Sequence, residues 1–165
     1  MINKILFIQT GGTIDKDYPH TKAGYAFEFG TEPAIKSVLK RANVNFDYEI
    51  ITVFCKDSQD ITSDDRKSLI EIISNSQISR IVITHGSDTI IETAGFLSVI
   101  KEKTIVLTAA FLPEKFKNSD ADFNSGMAVA AVSLLSPGIY IAINGEIFKW
   151  DNVKRNEKGM FLTNE

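Results

Sequence analysis

Residues 80–97, RIVITHGSDTIIETAGFL, join a short apolar run to a stretch with helical spacing through a polar loop. The run at 80–85 is rich in Ile and Val and too short for a typical helix, so it predicts a buried strand. Residues 88–100 carry apolar side chains at helical intervals, which predicts a helix directly after the loop. Such a unit of strand, loop and helix is typical of a parallel sheet covered by helices.

The same alternation extends along the rest of the chain. Further strands are predicted at 4–9, 48–54, 104–109 and 138–143, and further helices at 32–42, 63–76 and 122–136. Ser63 is the expected N-cap of the helix at 63–76, with Asp64 and Asp65 in its first turn. Residues 143–146, INGE, are a two-residue hairpin signal. The sequence therefore predicts an α/β fold in three layers, with a mainly parallel sheet, helices on both faces and a C-terminal β-hairpin.

Composition narrows the class of protein. The chain has 165 residues and a net charge of −3, so it suits one domain with a real core and has no basic field for binding nucleic acid. Cys55 is the only cysteine, and no Cys/His set has metal-ligand spacing. The apolar run at the N-terminus is too short for a membrane span and lacks a signal-peptide cleavage site. We expect a cytoplasmic, single-domain protein that needs neither metal nor organic cofactor and binds neither nucleic acid nor membrane.

Hydroxyl-rich loops follow the first three predicted strands. They are Thr10–Thr13, Lys56–Asp60 and His85–Thr89. Ligands of open α/β sheets bind beyond the carboxyl ends of the strands, near the point where strand order reverses. We therefore expect the three loops to converge on one site.

Each loop also permits a purely structural interpretation. Gly11 and Gly12 allow a sharp turn, and TGGT alone fits a threonine that caps the local backbone as well as one that serves a site. Asp88 is in the right place to cap a helix. His85 precedes Ser87 and Asp88, but sequence neighbours do not make a catalytic triad, and a hydrogen-bonded loop histidine is the better interpretation.

Six segments together resemble the bacterial-type L-asparaginases and glutaminase-asparaginases. ILFIQTGGTI at 5–14 and RIVITHGSDTIIETAGFL at 80–97 resemble the two signatures of the family. KDSQDIT at 56–62 is similar to its substrate-binding segment, and VLTAAFLP at 106–113 to the following strand and its Pro-containing loop. SDADFNSGMAVA at 119–130 is similar to its Asp-Gly-Pro-x-Asn segment, and WDNVKRN at 150–156 to the stretch that carries its active-site lysine. The resemblance covers nearly the whole chain.

The resemblance implies two catalytic groups. Thr13 would be the nucleophile and Tyr25 its activating partner, although Tyr18 remains open for that role. Ser87, Asp88 and Lys154 would form the second group, with serine where the family usually has threonine.

It also implies a set of substrate contacts. Ser58, Gln59 and Asp88 would hold the α-amino and α-carboxylate groups of the substrate. The Ser87 backbone amide and the region of Ala110 would surround the scissile amide. Gly12 and Gly86 would complete the pocket.

The implied activity is hydrolysis of L-asparagine, glutamine or a related small amide through a threonine acyl-enzyme. The alternative is a non-catalytic module that binds a small amino acid in the same pocket. Family enzymes are about twice as long, so residues 1–165 are expected to form only the N-terminal-type domain, without the family's C-terminal domain. A homodimer or higher homo-oligomer, or a separate polypeptide, would then supply the acidic residue that this second domain contributes from a neighbouring subunit.

Overall fold

Ten strands and four α-helices are defined in the computed structural model, which describes residues 4–18 and 26–164. In chain order the strands are Ile5–Gly11 (β1), Lys16–Asp17 (β2), Glu28–Phe29 (β3), Tyr48–Lys56 (β4), Arg80–Thr84 (β5), Thr104–Thr108 (β6), Gly138–Ile143 (β7), Glu146–Lys149 (β8), Lys154–Arg155 (β9) and Phe161–Leu162 (β10). The helices are Ala34–Arg41 (α1), Ser63–Asn75 (α2), Ile90–Leu97 (α3) and Ala121–Leu134 (α4).

Six strands form the main sheet, in the order β4-β1-β5-β6-β7-β8. The first five are parallel, and β8 turns back antiparallel to β7 through a turn at Asn144 and Gly145, both with positive φ. The predicted α/β fold and C-terminal hairpin are thus confirmed. After β1 the chain places β4 on one side and then crosses to β5 on the other. The order reverses between β1 and β5, so a crevice opens at their carboxyl ends.

Alternate side chains of the parallel strands pack on opposite faces of the sheet, as the two-residue period of a strand requires. Leu6 and Ile8 of β1 lie in a core with α2 and α3. Ile5 and Phe7 lie in a second core with α1 and α4. The result is the predicted three-layer arrangement, in which β1, β5, β6 and β7 are buried on both sides and β4 is a partly exposed edge strand.

Helix α2 begins as expected, but its cap is one residue earlier than predicted. Thr62, not Ser63, is the N-cap: its side chain accepts a hydrogen bond from the Asp65 amide, and the Asp65 carboxylate accepts one from the Thr62 amide. This reciprocal pair is a capping box, which needs an acceptor three residues after the cap. Asp65 provides it for Thr62.

No helix in residues 4–18 and 26–164 is both long and apolar enough to cross a membrane; the longest, α4, has 14 residues.

Candidate functional site

The end of β1 lies unusually close to the end of β4. Gly11 has a φ of 102°, and a Cβ there would lie 2.3 Å from the Lys56 carbonyl oxygen. The Gly12 amide donates to the same oxygen at 2.9 Å. Only glycine permits this approach without strain. The two glycines therefore turn the chain sharply out of the sheet and bring it against the loop that follows β4.

Gly12 also brings the first and third loops into contact. Its φ is 85°, and a Cβ there would lie 2.5 Å from the backbone of Gly86. A Cβ on Gly86 would in turn lie 2.6 Å from the side chain of Ser58. The loops after β1, β4 and β5 thus meet at Gly12, Ser58 and Gly86, which lie at the switch point of the sheet.

The two threonines of TGGT have different environments. Thr10 is fully buried, and its hydroxyl donates to the Thr84 carbonyl at 2.8 Å. Thr13 begins a short 3-10 turn, Thr13–Asp15, and is half-buried. Its hydroxyl makes no hydrogen bond to any described residue, and neither does that of Ser87. Thr10 thus takes the structural role that the motif allowed, whereas Thr13 and Ser87 keep hydroxyls free for a ligand.

Asp88 is held by two side chains rather than by a helix terminus. Gln59 Nε2 donates to its Oδ2 at 2.7 Å, and Arg155 forms an ion pair with its Oδ1 at 2.5 Å. The Arg155 guanidinium and the Gln59 amide lower the pKa of this carboxyl, so it is ionised at neutral pH. The N-cap of α3 is Thr89, one residue later than the capping interpretation of Asp88 requires.

The cation beside Asp88 is Arg155, and not the adjacent Lys154. Lys154 is exposed on β9 and has no ion pair with a described residue. Neighbouring residues of a strand face opposite sides, and Val153 is buried, so Arg155 rather than Lys154 shares the inward side. Sequence analysis did not single out Arg155, although the buried apolar residue two positions earlier was a usable signal. Its guanidinium also packs over the Phe161 ring, 5.8 Å from the centroid.

Ser58 and Gln59 occupy a 3-10 turn, Ser58–Asp60, that follows β4. Asp57 caps this turn by accepting from the Gln59 amide, and it pairs with Lys16 at 2.7 Å. The Ser58 carbonyl accepts a hydrogen bond of 2.7 Å from the Thr89 hydroxyl. These contacts connect the second loop to both of the others and hold Gln59 where it reaches Asp88.

The structure describes Ala110 but not Tyr25, two other predicted site residues. Ala110 is 1% exposed, and its side chain lies in a small apolar cluster with Ile14, Ala34 and Ala121, so only its backbone is available to a ligand. Tyr25 lies outside the described residues. Tyr18, the other candidate, packs against Phe27 in a tilted arrangement with ring centroids 4.2 Å apart.

Asp15 connects the turn that carries Thr13 to the rest of the domain. Its carboxylate is 3% exposed, and Oδ1 accepts from the Ala34 amide at 2.8 Å, at the start of α1. Burial raises its pKa to about 6, and Glu114 adds to this rise, whereas hydrogen bonds from Ala34 and the Gln9 side chain oppose it. At neutral pH the turn therefore has a buried charge with incomplete compensation.

Asp15→Asn is expected to stabilise the protein at pH 7. A carboxyl with a raised folded-state pKa contributes stability that is complete below about pH 4 and is lost as pH rises through about 6. The asparagine oxygen still accepts from Ala34 and has no charge to bury. We expect the free energy of unfolding at pH 7 to rise by up to about 3 kcal/mol, and its pH dependence between 4 and 6 to flatten.

Urea unfolding at pH 4, 5, 6 and 7 measures this effect. Asp151→Asn is the matched control, because Asp151 is exposed and has no ion pair with a described residue. A variant that is less stable than wild type at pH 7 would contradict the proposed cost of the Asp15 charge.

No group of three or more His, Cys, Asp or Glu side chains in the described parts of the chain could hold a metal ion. The site instead presents two unpaired hydroxyls, an ionised carboxylate and an amide side chain. This combination suits a small polar ligand with a positive group for Asp88.

The fold and the site define a doubly wound α/β domain with a polar ligand site at the switch point of its sheet. The sequence matches the family model described as "Asparaginase, N-terminal" over residues 4–161. The chain therefore belongs to the asparaginase family, as the motif resemblance predicted.

Curated relatives are named for enzymes. A glutaminase-asparaginase of Acinetobacter glutaminasificans is 27% identical over 157 residues, which are 88% of this chain and 47% of the relative. An L-asparaginase of Thermococcus kodakarensis is 29% identical over 92% of this chain and 47% of the relative. The solved structure of "the thermostable L-asparaginase from Thermococcus kodakarensis" superposes with a TM-score of 0.83 at 25% identity, covering 97% of this chain and 51% of that one. The chain thus spans about half the length of the relatives it matches.

Proposed function

We propose that this chain is an asparaginase-type amidohydrolase domain that releases ammonia from L-asparagine, glutamine or a related small amide. The observation that carries the proposal is the contact of three loops at Gly12, Ser58 and Gly86. These loops carry the ionised Asp88 and the hydroxyls of Thr13 and Ser87, neither of which has a hydrogen bond to a described residue. The enzyme names of the relatives support the same reaction class.

In the proposed reaction, the Thr13 hydroxyl attacks the side-chain amide carbon of the substrate. The carbon–nitrogen bond breaks, ammonia leaves, and an acyl-enzyme ester remains on Thr13. Water then attacks the ester and releases the amino diacid. Asp88 would bind the substrate ammonium, with Ser58 and Gln59 at the α-carboxylate, so that the side chain points towards Thr13.

The proposed base has to be a group other than Arg155. A guanidinium keeps its proton and has no acceptor atom, so Arg155 can orient Asp88 but cannot deprotonate a hydroxyl or water. Tyr25 remains the proposed activator of Thr13, and Lys154 the proposed lysine of the second group. Lys154 would need to turn from its exposed position towards Ser87 to act.

A second candidate function is favoured by the same observation. Because the cation in contact with Asp88 cannot accept a proton, the group of Ser87, Asp88 and Arg155 suits recognition as well as catalysis. A non-catalytic module that binds a small amino acid would use the same three loops. The enzyme remains the first proposal because binding alone does not require both free hydroxyls.

Ammonia release and ligand binding, measured on one preparation, separate the two functions. Purified protein is assayed with L-Asn, L-Gln and their D-isomers, and aspartate binding is measured by calorimetry. Ammonia from any of these amides supports the enzyme, whereas aspartate binding without ammonia supports the binding module. Both results are consistent with an amino-acid site at the three loops. Light scattering at the assay concentration tests the proposed homodimer.

A further inference from the structure

His85 is a buried histidine beside the site that the proposed reaction does not use. It is 0% exposed, and its backbone amide donates to the Thr108 carbonyl at 2.9 Å. The residue is therefore held in the core at the start of the third loop.

The ring has one polar contact among the described residues. Nδ1 lies 2.8 Å from the carbonyl oxygen of Gly86, and Nε2 is buried without a hydrogen-bond partner. Burial lowers the pKa of His85 to about 4, so the ring is neutral at pH 7 and has a single proton. A carbonyl oxygen can only accept, so this proton is on Nδ1.

The Gly86 carbonyl belongs to the same peptide unit as the Ser87 N–H. A trans peptide is planar, and its C=O and N–H point in opposite directions. With the oxygen held towards the buried ring, the N–H must point away from the core. The Ser87 amide makes no hydrogen bond with a described residue, so it is a free donor at the mouth of the crevice.

We propose that His85 is a positioning residue: by holding the Gly86 carbonyl, it aims the Ser87 N–H at the oxyanion of the substrate. The inference rests on the proposed function: the family resemblance implies that the Ser87 amide lies beside the scissile amide, where its N–H would stabilise the tetrahedral intermediate. An oxyanion donor is effective only when it is oriented before the charge develops.

His85→Leu and His85→Asn test the inference as a pair. Leucine fills the buried space but donates nothing, whereas the asparagine amide nitrogen occupies nearly the place of Nδ1. We expect His85→Leu to lower kcat by about 30- to 100-fold, since loss of a whole oxyanion donor costs about 100- to 1000-fold. KM should change less than about threefold, and His85→Asn should recover most of kcat.

Thr93→Val is the control for general damage to the core behind the loop. Thr93 is 0% exposed and accepts a hydrogen bond from Arg66 at 3.0 Å, without contact to Gly86. We expect it to lower stability and leave kcat unchanged. Wild-type kcat in His85→Leu, or an equal loss of kcat in His85→Asn and His85→Leu, would overturn the inference.

A nuclear magnetic resonance measurement separates the inference from the proposed hydrolysis. Aspartate, the proposed product, is added to labelled protein, and the Ser87 amide proton is followed. A downfield shift in wild type and His85→Asn that is absent in His85→Leu supports the orientation even if no ammonia is released. No shift in wild type, or the same shift in His85→Leu, overturns it.

Discussion

Thr13→Ala is expected to abolish ammonia release while leaving aspartate binding within about threefold of wild type. The change removes the hydroxyl that would form the acyl-enzyme, and losing a nucleophile typically lowers kcat by about 10⁴-fold or more. The contacts proposed for the ammonium and carboxylate come from Ser58, Gln59 and Asp88, which the change leaves in place. The Thr13 hydroxyl has no hydrogen bond to a described residue, so its loss should not destabilise the fold.

Turnover and calorimetric binding of aspartate measure this result on the same protein. Thr13→Ser keeps a hydroxyl and should retain measurable activity. Thr10→Val should instead lower the stability of the protein, because the Thr10 hydroxyl donates a hydrogen bond to the buried Thr84 carbonyl. If Thr13→Ala released ammonia at the wild-type rate, Thr13 would not be the nucleophile. Ser87 would then take that role, and Ser87→Ala would be the inactive variant.

Asp88→Asn is expected to impair both binding and turnover. The carboxylate is proposed to bind the substrate ammonium, and a hydrogen bond to a charged group is worth about 1.5–3 kcal/mol. Loss of the charge also leaves the Arg155 guanidinium without its ion-pair partner near the incoming ammonium. We expect aspartate to bind about 100-fold more weakly, at about 1.4 kcal/mol for each factor of ten, and kcat/KM to fall at least as far.

Asp60→Asn is the matched control for this change. Asp60 is an exposed residue of the same turn as Gln59, and it has no ion pair with a described residue. The same replacement there alters the net charge equally and should leave binding unchanged. If Asp88→Asn bound aspartate as tightly as wild type, Asp88 would not be the ammonium site, and its pairing with Arg155 would be structural.

The strand and helix order could be read from local patterns because each pattern reports directly on burial. Ile- and Val-rich runs such as 80–85, too short for a typical helix, indicate strands, and helices between them indicate a parallel sheet with two covered faces. The family could be predicted from short sequence motifs for a related reason. Gly12 and Gly86 lie where three loops leave no room for a Cβ, so the motifs preserve a local geometry that short segments reveal.

The convergence of three loops was also predictable, because carboxyl ends of parallel strands share one edge of a sheet. The sequence by itself thus determined the α/β class, the family and the meeting of the three loops at one edge of the sheet.

The pairing of individual side chains was decided only by the tertiary structure. Sequence alone could not say which threonine of TGGT is structural, because that depends on Thr84, which is 74 residues from Thr10. It also could not choose between Lys154 and Arg155, because adjacent cations on a two-residue strand differ only in which side of the strand faces Asp88. The physical reason is common to both cases: a hydrogen bond or ion pair forms between groups that the fold brings within about 3 Å, and local spacing does not encode that distance.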